Sequence, residues 1–400
     1  MPPDVLIIGA GPAGSACARV LAQAGLDVLL VDQHPQGRDK TCGDGLIPDA
    51  HQALARLGLL DEVMRRAEPV SHVGCIGPRG GRIDVQGTLA VLPRKELDAL
   101  LLQAARDAGV RFEQARFEAP LEVDGRVVGA RLKRGDEIVE VTARWVVLAT
   151  GAVPKALTAA GMCERHTPSG VALRGYVKAP QMVGRIKSLE VVWDKAVRPG
   201  YGWIFPAPDG HFNIGVGVTD SHRVLGGRAL KKDVNLRAIF DRFVTAYAPA
   251  AELMRVGERV GEGDQWLKGA PLRFTLSGAK WTRPGLIVTG EAAGSTYSFT
   301  GEGIGKALQT GMLAAEAILA HADDATARAA YEGGLRALKP KFDLYERANS
   351  INAHPWLADL VIWRAGKSPR LLKRLSGVLN ETSNPGNILS IRGISKLFLE

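Results

Sequence analysis

An α/β fold with an interrupted first domain is predicted by three features of the sequence. A buried strand, a glycine turn, a helix and a second buried strand fill residues 4–32. Short apolar strands that run into glycine return at 145–151 and 286–290. The stretch between these two is rich in β-type segments, and the chain beyond 326 is helical and basic. Together they predict a Rossmann-like nucleotide-binding domain, an inserted β-rich domain and a C-terminal helical segment. The predicted division is 1–72, 93–154 and 276–325 for the first domain, 73–92 and 155–275 for the insertion, and 326–400 for the last segment.

Each element has its own signal. Residues 4–8 are an apolar strand, and residues 12–24 set Ala13, Ala16, Cys17, Val20 and Leu21 at helical spacing, so one face packs on a sheet. Gly25 stops that helix, and 27–32 is a second buried strand with a carboxylate, Asp32, at its end. Helices are predicted over 49–67 and 94–108, the latter with Leu97, Leu100, Leu101, Ala104 and Ala108 in register and Gly109 behind it. Turn signals at Asp124-Gly125 and Gly135-Asp136 divide 121–149 into a small antiparallel meander that ends in a fully apolar strand. Strands are predicted at 189–193 and at the alternating 211–218, and the strand at 286–290 leads into a long helix, 302–320.

Composition narrows the classes. Four hundred residues suggest two or three domains, and 46% hydrophobic with 23% charged residues suits a folded α/β enzyme rather than a disordered chain. The four cysteines, Cys17, Cys42, Cys75 and Cys163, form neither a zinc motif nor a disulfide series, and none of the eight histidines has metal-ligand spacing. No apolar run approaches the ~20 residues that span a bilayer. A strand that starts at residue 4 leaves no room for a secretory signal, so a cytoplasmic location is expected.

The net charge of +9 is uneven, since the segment from Arg336 onward carries eleven Lys or Arg against five Asp or Glu. Trp356, Leu357, Leu360, Val361 and Trp363 lie in the same segment, and 391–399 is a further basic, apolar stretch. Contact with an anionic membrane surface or an acidic carrier protein is expected there, which would place the protein peripherally at a membrane. Nucleic acid is not among the expected partners.

Gly9-Ala10-Gly11-Pro12-Ala13-Gly14 lies between a strand and a helix, as a dinucleotide turn requires. Gly9 permits the tight turn, Gly11 lets the backbone approach a pyrophosphate, and Gly14 lets helix and strand pack closely, while Asp32 stands where it accepts ribose hydroxyls. Two more glycine turns follow buried strands, Ala149-Thr150-Gly151 and Thr289-Gly290-Glu291-Ala292-Ala293-Gly294. An extended FAD needs such distant contacts. Their order and spacing resemble the superfamily of FAD enzymes that includes aromatic hydroxylases, flavin halogenases and geranylgeranyl reductases. The resemblance implies that the first domain binds FAD, that Glu291 (Asp in most of that superfamily) meets the ribityl chain, and that Arg94 touches the flavin. It also implies that Gly303 and Ile304, at a helix start, face the flavin pyrimidine edge, where a helix N-terminus favours the negative charge of the reduced ring.

Two motifs narrow the resemblance. Lys40-Thr41-Cys42-Gly43-Asp44-Gly45-Leu46 is similar to the KxCG segment of the geranylgeranyl reductase family, and Tyr201-Gly202-Trp203-Ile204-Phe205-Pro206 matches its YxWxFP pattern. That family reduces isoprenoid carbon–carbon double bonds, so the expected substrate is apolar and unsaturated and the β-rich insertion is its substrate domain. Alternation on a strand puts Tyr201, Trp203 and Phe205 on one face, a wall suited to such a chain. Cys42 and Gly43 are expected at the flavin, and Cys42 is also a candidate proton route, so the expected catalytic set is Cys42, Tyr201, Trp203 and Phe205. Lys40 and Asp44 are candidates for a polar network at the flavin, a solvated loop being the alternative, and are assigned no catalytic role. A flavin monooxygenase or halogenase is the alternative; halogenases typically carry WxWxIP where Tyr201 to Pro206 stand, which counts against halogenation. A flavin-bearing binding or electron-transfer protein is the third reading. No second strand–GxGxxG–helix unit exists for a nicotinamide, and NADPH and ferredoxin both remain as electron donors.

Overall fold

The computed structural model describes residues 1–222, 224–225, 228–229, 234–380 and 382. Its first sheet has the strand order Thr282–Arg283, Leu286–Val288, Trp145–Leu148, Val5–Ile8, Val28–Asp32, Arg111–Gln114, parallel throughout except for the Thr282–Arg283 edge. Strand alternation divides this sheet between two cores. Val5, Ile7, Val28 and Leu30 pack with Cys17 and Leu21 of helix Pro12–Gln23 and with Ala314, Ala315 and Ile318 of helix Ile304–Ala320. Leu6, Ile8, Leu29 and Val31 point the other way, onto Val127, Ala130 and Leu132 of the meander. Burial on both faces is why these strands read as unbroken apolar runs.

The second sheet has nine strands and draws on 45–46 and 68–72 as well as on the 73–92 and 155–275 expected for the β-rich insertion. Its order is Glu258–Val260, Gly170–Lys178, His211–Thr219, Gly200–Ala207, Leu189–Val192, Glu68–Ile76, Arg82–Val91, Gly45–Leu46, and Lys268–Leu272 also pairs with Gly170–Lys178. All neighbours are antiparallel except Leu189–Val192 with Glu68–Ile76, where Leu189 stands beside Val73 and Val191 beside Cys75. That parallel join unites chain segments that lie on either side of Trp145–Leu148 in sequence.

The described part of the C-terminal segment is helical as predicted, with Asp324–Ala348, Ser350–Ala353, Trp356–Lys367 and Pro369–Leu379. The first of these locks onto the parallel sheet, its Tyr331 hydroxyl donating to the Val288 carbonyl at 2.7 Å. The last two lie on the Glu68–Ile76 and Arg82–Val91 hairpin, with Ala358, Ile362, Ala365 and Leu371 packed on Ile83 and Val85. Among the described residues no helix is long and apolar enough to cross a membrane.

Three boundaries differ from the sequence reading. Helix 49–67 is two helices, Pro48–Arg56 and Leu60–Arg66, because Gly58 takes φ +70° and ends the first. The meander begins earlier, at Arg116, and comprises Arg116–Val123, Arg126–Arg134 and Glu137–Thr142. The long helix starts at Ile304 rather than 302, after a loop in which Gly301 takes φ +72°. The stretch 391–399 lies outside the described residues.

Candidate cofactor and substrate site

The glycine turn after Val5–Ile8 is built for a ligand. A Cβ on Gly9 would lie 2.4 Å from the Ala149 carbonyl oxygen, and one on Gly14 would lie 1.8 Å from that of Gly9, so backbone packing forbids a side chain at either. Gly11 differs. Within 4 Å a Cβ there would meet only the guanidinium nitrogens of Arg38, at 3.6 Å, and Arg94, at 3.9 Å, so the space above Gly11 opens between two cations. Helix Pro12–Gln23 begins at the same point. A pyrophosphate is the group that this combination of bare backbone, helix start and flanking guanidinium groups accepts.

Asp32 braces the turn. Its Oδ2 accepts from the Ala10 backbone N–H at 2.9 Å, and its Oδ1 from the His34 N–H at 2.9 Å. Ala13 and Gly151 line the same cavity, which continues past Glu291 to Gly303 and Ile304. Glu291 sits on the turn Gly290–Ala293 and pairs with Lys40 at 3.8 Å. Gly303 caps helix Ile304–Ala320, and a Cβ on it would lie 2.6 Å from the Thr296 hydroxyl.

Arg94 is buried, and its Nε and Nη2 donate to both oxygens of Asp98 at 2.7 and 2.8 Å. Burial opposes the charge on Arg94, but the Asp98 pair outweighs it and keeps the guanidinium fully protonated. The arginine is therefore a fixed cation at the cavity wall.

At the far end the cavity is aromatic. Tyr201, Trp203 and Phe205 all line it, as strand alternation predicts, with centroid separations of 6.3 and 6.4 Å along the row. Trp203 fits because its strand partner is Gly215, where a Cβ would lie 2.3 Å from the indole ring. Cys42 and Gly43 approach the same wall, with a Gly43 Cβ position 3.1 Å from the Phe205 ring. The Cys42 thiol is pushed above its ordinary range by burial and by the Asp44 charge, so it holds its proton.

The structure adds wall residues that the sequence reading did not select. Trp193 stacks on Phe299, with centroids 6.0 Å apart, and extends the wall beyond Tyr201. Leu375, Val378 and Leu379 of the last helix reach the same cavity. Asp44 is fully buried at φ +65° and accepts from the Asn213 amide at 2.7 Å, the Arg94 backbone N–H at 3.2 Å and the Tyr176 hydroxyl. Asn213 in turn accepts the Trp203 indole N–H at 2.8 Å and donates to the Cys42 carbonyl at 2.8 Å. Arg174, also buried, lies over the Tyr176 ring and donates to Asp39 at 2.6 Å. Asp44, a candidate network residue from sequence, thus anchors a polar network behind the aromatic wall, whereas Asn213's position in an alternating strand does not announce its part in it.

These residues fit an extended FAD. The Gly11 cradle, with Arg38 and Arg94 beside it, would take the pyrophosphate, Asp32 would take the ribose, and Glu291, Gly303 and Ile304 would face the ribityl and flavin region. Thr150 and Thr300, at the second glycine turn and beside Gly301, each bury a hydroxyl that has no partner among the described residues. A bound cofactor supplies partners for such groups.

Residues 3–182 match the FAD binding domain family. Fold and site define an FAD-dependent oxidoreductase. The chain is 33% identical to the menaquinone reductase of Mycobacterium tuberculosis over 334 residues, which cover 78% of this chain and 76% of that one. It is 29% identical to digeranylgeranylglycerophospholipid reductase 1 of Methanopyrus kandleri, covering 78% and 79% of the two chains. The protein belongs to the geranylgeranyl reductase family of FAD-dependent oxidoreductases. Its fold is shared by a geranylgeranyl bacteriochlorophyll reductase-like protein of Thermoplasma acidophilum, with a TM-score of 0.77 at 22% identity over 100% of this chain and 96% of that one. A flavin-dependent brominase has the same fold, with a TM-score of 0.76 at 19% identity over 99% and 97% of the chains.

Proposed function

We propose that the protein saturates carbon–carbon double bonds of an isoprenoid or another long unsaturated chain, the hydride being supplied by FAD in its reduced state. The observation that carries this reading is the continuity of one cavity. It runs from the Gly11 cradle, past Cys42, to a wall of Phe205, Trp203, Tyr201, Trp193 and Phe299 and on to Leu375 and Leu379. Such a wall gives a hydrocarbon chain about 25 cal/mol for each Å² it removes from water, and offers a polar substrate little in exchange for its hydration. Two relatives named for a quinone and for a digeranylgeranyl phospholipid support a lipid substrate.

The chain's own residues divide the work. Gly11, Asp32 and Arg94 hold the cofactor, while Tyr201, Trp203 and Phe205 orient the alkene and keep water from it. The alkene carbon that takes no hydride must take a proton. Cys42, whose thiol stays protonated beside the wall, is the side chain proposed to hold or relay it. Tyr201 is committed elsewhere, its hydroxyl donating to the Thr300 carbonyl.

Single-turnover oxidation tests this without the physiological electron donor, whether NADPH or ferredoxin. Protein loaded with FAD and reduced anaerobically is mixed with a polyunsaturated isoprenoid, and flavin absorbance and product mass are followed. Reoxidation coupled to a product heavier by one H2 is expected. Reoxidation by oxygen alone, with hydroxylated or halogenated product, would overturn the reductase reading.

A further inference from the structure

We propose that the outer face of helices Trp356–Lys367 and Pro369–Leu379 is a docking surface for an anionic lipid bilayer. The surface is read without reference to the reaction; the proposed function adds only that lipid substrate would enter beside it.

Helix Trp356–Lys367 has two unlike faces. Ala358, Ile362 and Ala365 are buried against Ile83 and Val85. At 100° per residue, Trp356, Leu360, Trp363 and Lys367 form a stripe on the opposite side. Trp356 is 62% and Trp363 54% exposed, a large apolar area for a protein surface to leave in water. The Lys367 ammonium lies 4.5 Å from the Trp363 ring centroid, so the cation and the indole share one patch.

The charges follow the same division. Between 356 and 379 the sequence has five basic residues and one acid, Asp359. Asp359 is turned inward, accepting the Arg79 backbone N–H at 3.1 Å and pairing with the Arg79 side chain at 3.7 Å. Lys367, Arg370 and Lys373 are exposed. On helix Pro369–Leu379 the inward residues Leu375, Val378 and Leu379 line the cavity, while Arg370 and Lys373 lie on the other side. The basic, tryptophan-bearing face and the cavity wall are therefore two sides of one helical pair.

A bilayer suits this surface better than an acidic protein does. Charge alone would serve either partner, but exposed indoles beside ammonium groups match the boundary between headgroups and acyl chains, where Trp finds apolar and polar surroundings at once. No membrane-spanning helix is required for such attachment.

The test uses the full-length, FAD-loaded protein and flotation with vesicles of phosphatidylcholine or of phosphatidylcholine mixed with phosphatidylglycerol. The parent should float with the mixed vesicles, less so as salt shortens the Debye length from about 10 Å toward about 3 Å. Replacing Lys367, Arg370 and Lys373 by Gln should weaken binding to mixed vesicles on the order of a hundred-fold, from about 1 kcal/mol per neutralised cation. Trp356→Ser with Trp363→Ser should weaken it by on the order of ten-fold or more while leaving the salt dependence in place. FAD content and melting temperature equal to the parent's show that each variant is folded. Undiminished flotation of either folded variant overturns the proposal. So does an acidic acyl-carrier protein that binds the parent more tightly than the mixed vesicles do, since the surface would then belong to a protein partner.

Discussion

The side-chain amide of Asn213 donates to the Asp44 carboxylate at 2.7 Å. Through the same side chain Asp44 is coupled to Trp203, whose indole N–H reaches the Asn213 oxygen at 2.8 Å. A buried acid behind the cavity is thus tied through one amide to an aromatic ring of the cavity wall.

Asn213→Leu removes both links and leaves a buried indole N–H and part of a buried carboxylate without partners. Two such losses cost about 1–3 kcal/mol each. Urea denaturation should show destabilisation of that order, and turnover should fall more than FAD affinity. A variant as stable and as active as the parent would show that the network does not position Trp203.

Burial pushes Asp44 up from 3.8 to about 6, although the Arg174 charge and hydrogen bonds from Tyr176 and Asn213 hold it down. Its contribution to stability is complete when the group is protonated in both folded and unfolded chains, and is lost as pH rises through about 6. The stability of the parent relative to Asp44→Asn should therefore decline by about 3 kcal/mol across that window, at about 1.4 kcal/mol per unit. Denaturation curves at stepped pH measure the difference. A gap independent of pH between 3.8 and about 6 would mean that Asp44 is not the titrating group.

Gly11 and Gly14 should respond differently to a side chain. Gly11→Val projects into open space between Arg38 and Arg94, so the protein should fold yet retain little FAD. Gly14→Ala meets the Gly9 carbonyl oxygen at 1.8 Å and should destabilise the fold itself by several kcal/mol, on the order of other overpacked sites. Flavin absorbance and thermal melting separate the two outcomes. Full flavin content in folded Gly11→Val would rule out the pyrophosphate cradle.

At the aromatic wall, Trp203→Phe should keep FAD bound while lowering turnover, because it preserves most of the packing but not the indole N–H. Cys42→Ser should also keep the cofactor, and should change rate or double-bond selectivity. Loss of flavin in step with activity would assign Trp203 to the core, and an unchanged rate and product pattern would assign Cys42 to packing.

FAD is expected to be non-covalent. Acid precipitation should leave the chain colourless and the flavin in solution; colour retained by the pellet would establish a covalent bond.

What could be read from the sequence followed the range of the physical cause. Gly9, Gly11 and Gly14 share one strand–turn–helix unit, where Gly14 answers to the Gly9 carbonyl, and apolar runs such as Val5–Ile8 record burial on both faces of a sheet, so both patterns are visible locally, although the Ala149 carbonyl that crowds Gly9 comes from a distant strand. The row Tyr201, Trp203 and Phe205 is likewise fixed by alternation on one strand. Asn213 is different: it becomes a partner of Trp203 only through the register that sets it opposite Phe205 on one neighbour and Tyr176 on the other. Trp193 and Phe299 meet from distant segments, and the inward side of Pro369–Leu379 depends on where that helix lands. The split of 49–67 turned on Gly58, a residue that helical periodicity alone does not weigh.

The parallel pairing of Glu68–Ile76 with Leu189–Val192 has a consequence for anyone transplanting specificity between relatives. The insertion is no cassette with a single entry and exit. A graft that replaces only the later portion would ask a foreign Leu189–Val192 to hydrogen-bond with a host Glu68–Ile76, and a mismatch of one residue there would turn Leu189 and Val191 away from the cavity. A working hybrid has to exchange both portions together, along with the helical pair that rests on the hairpin, and inherits the lining of the pocket only as that whole set.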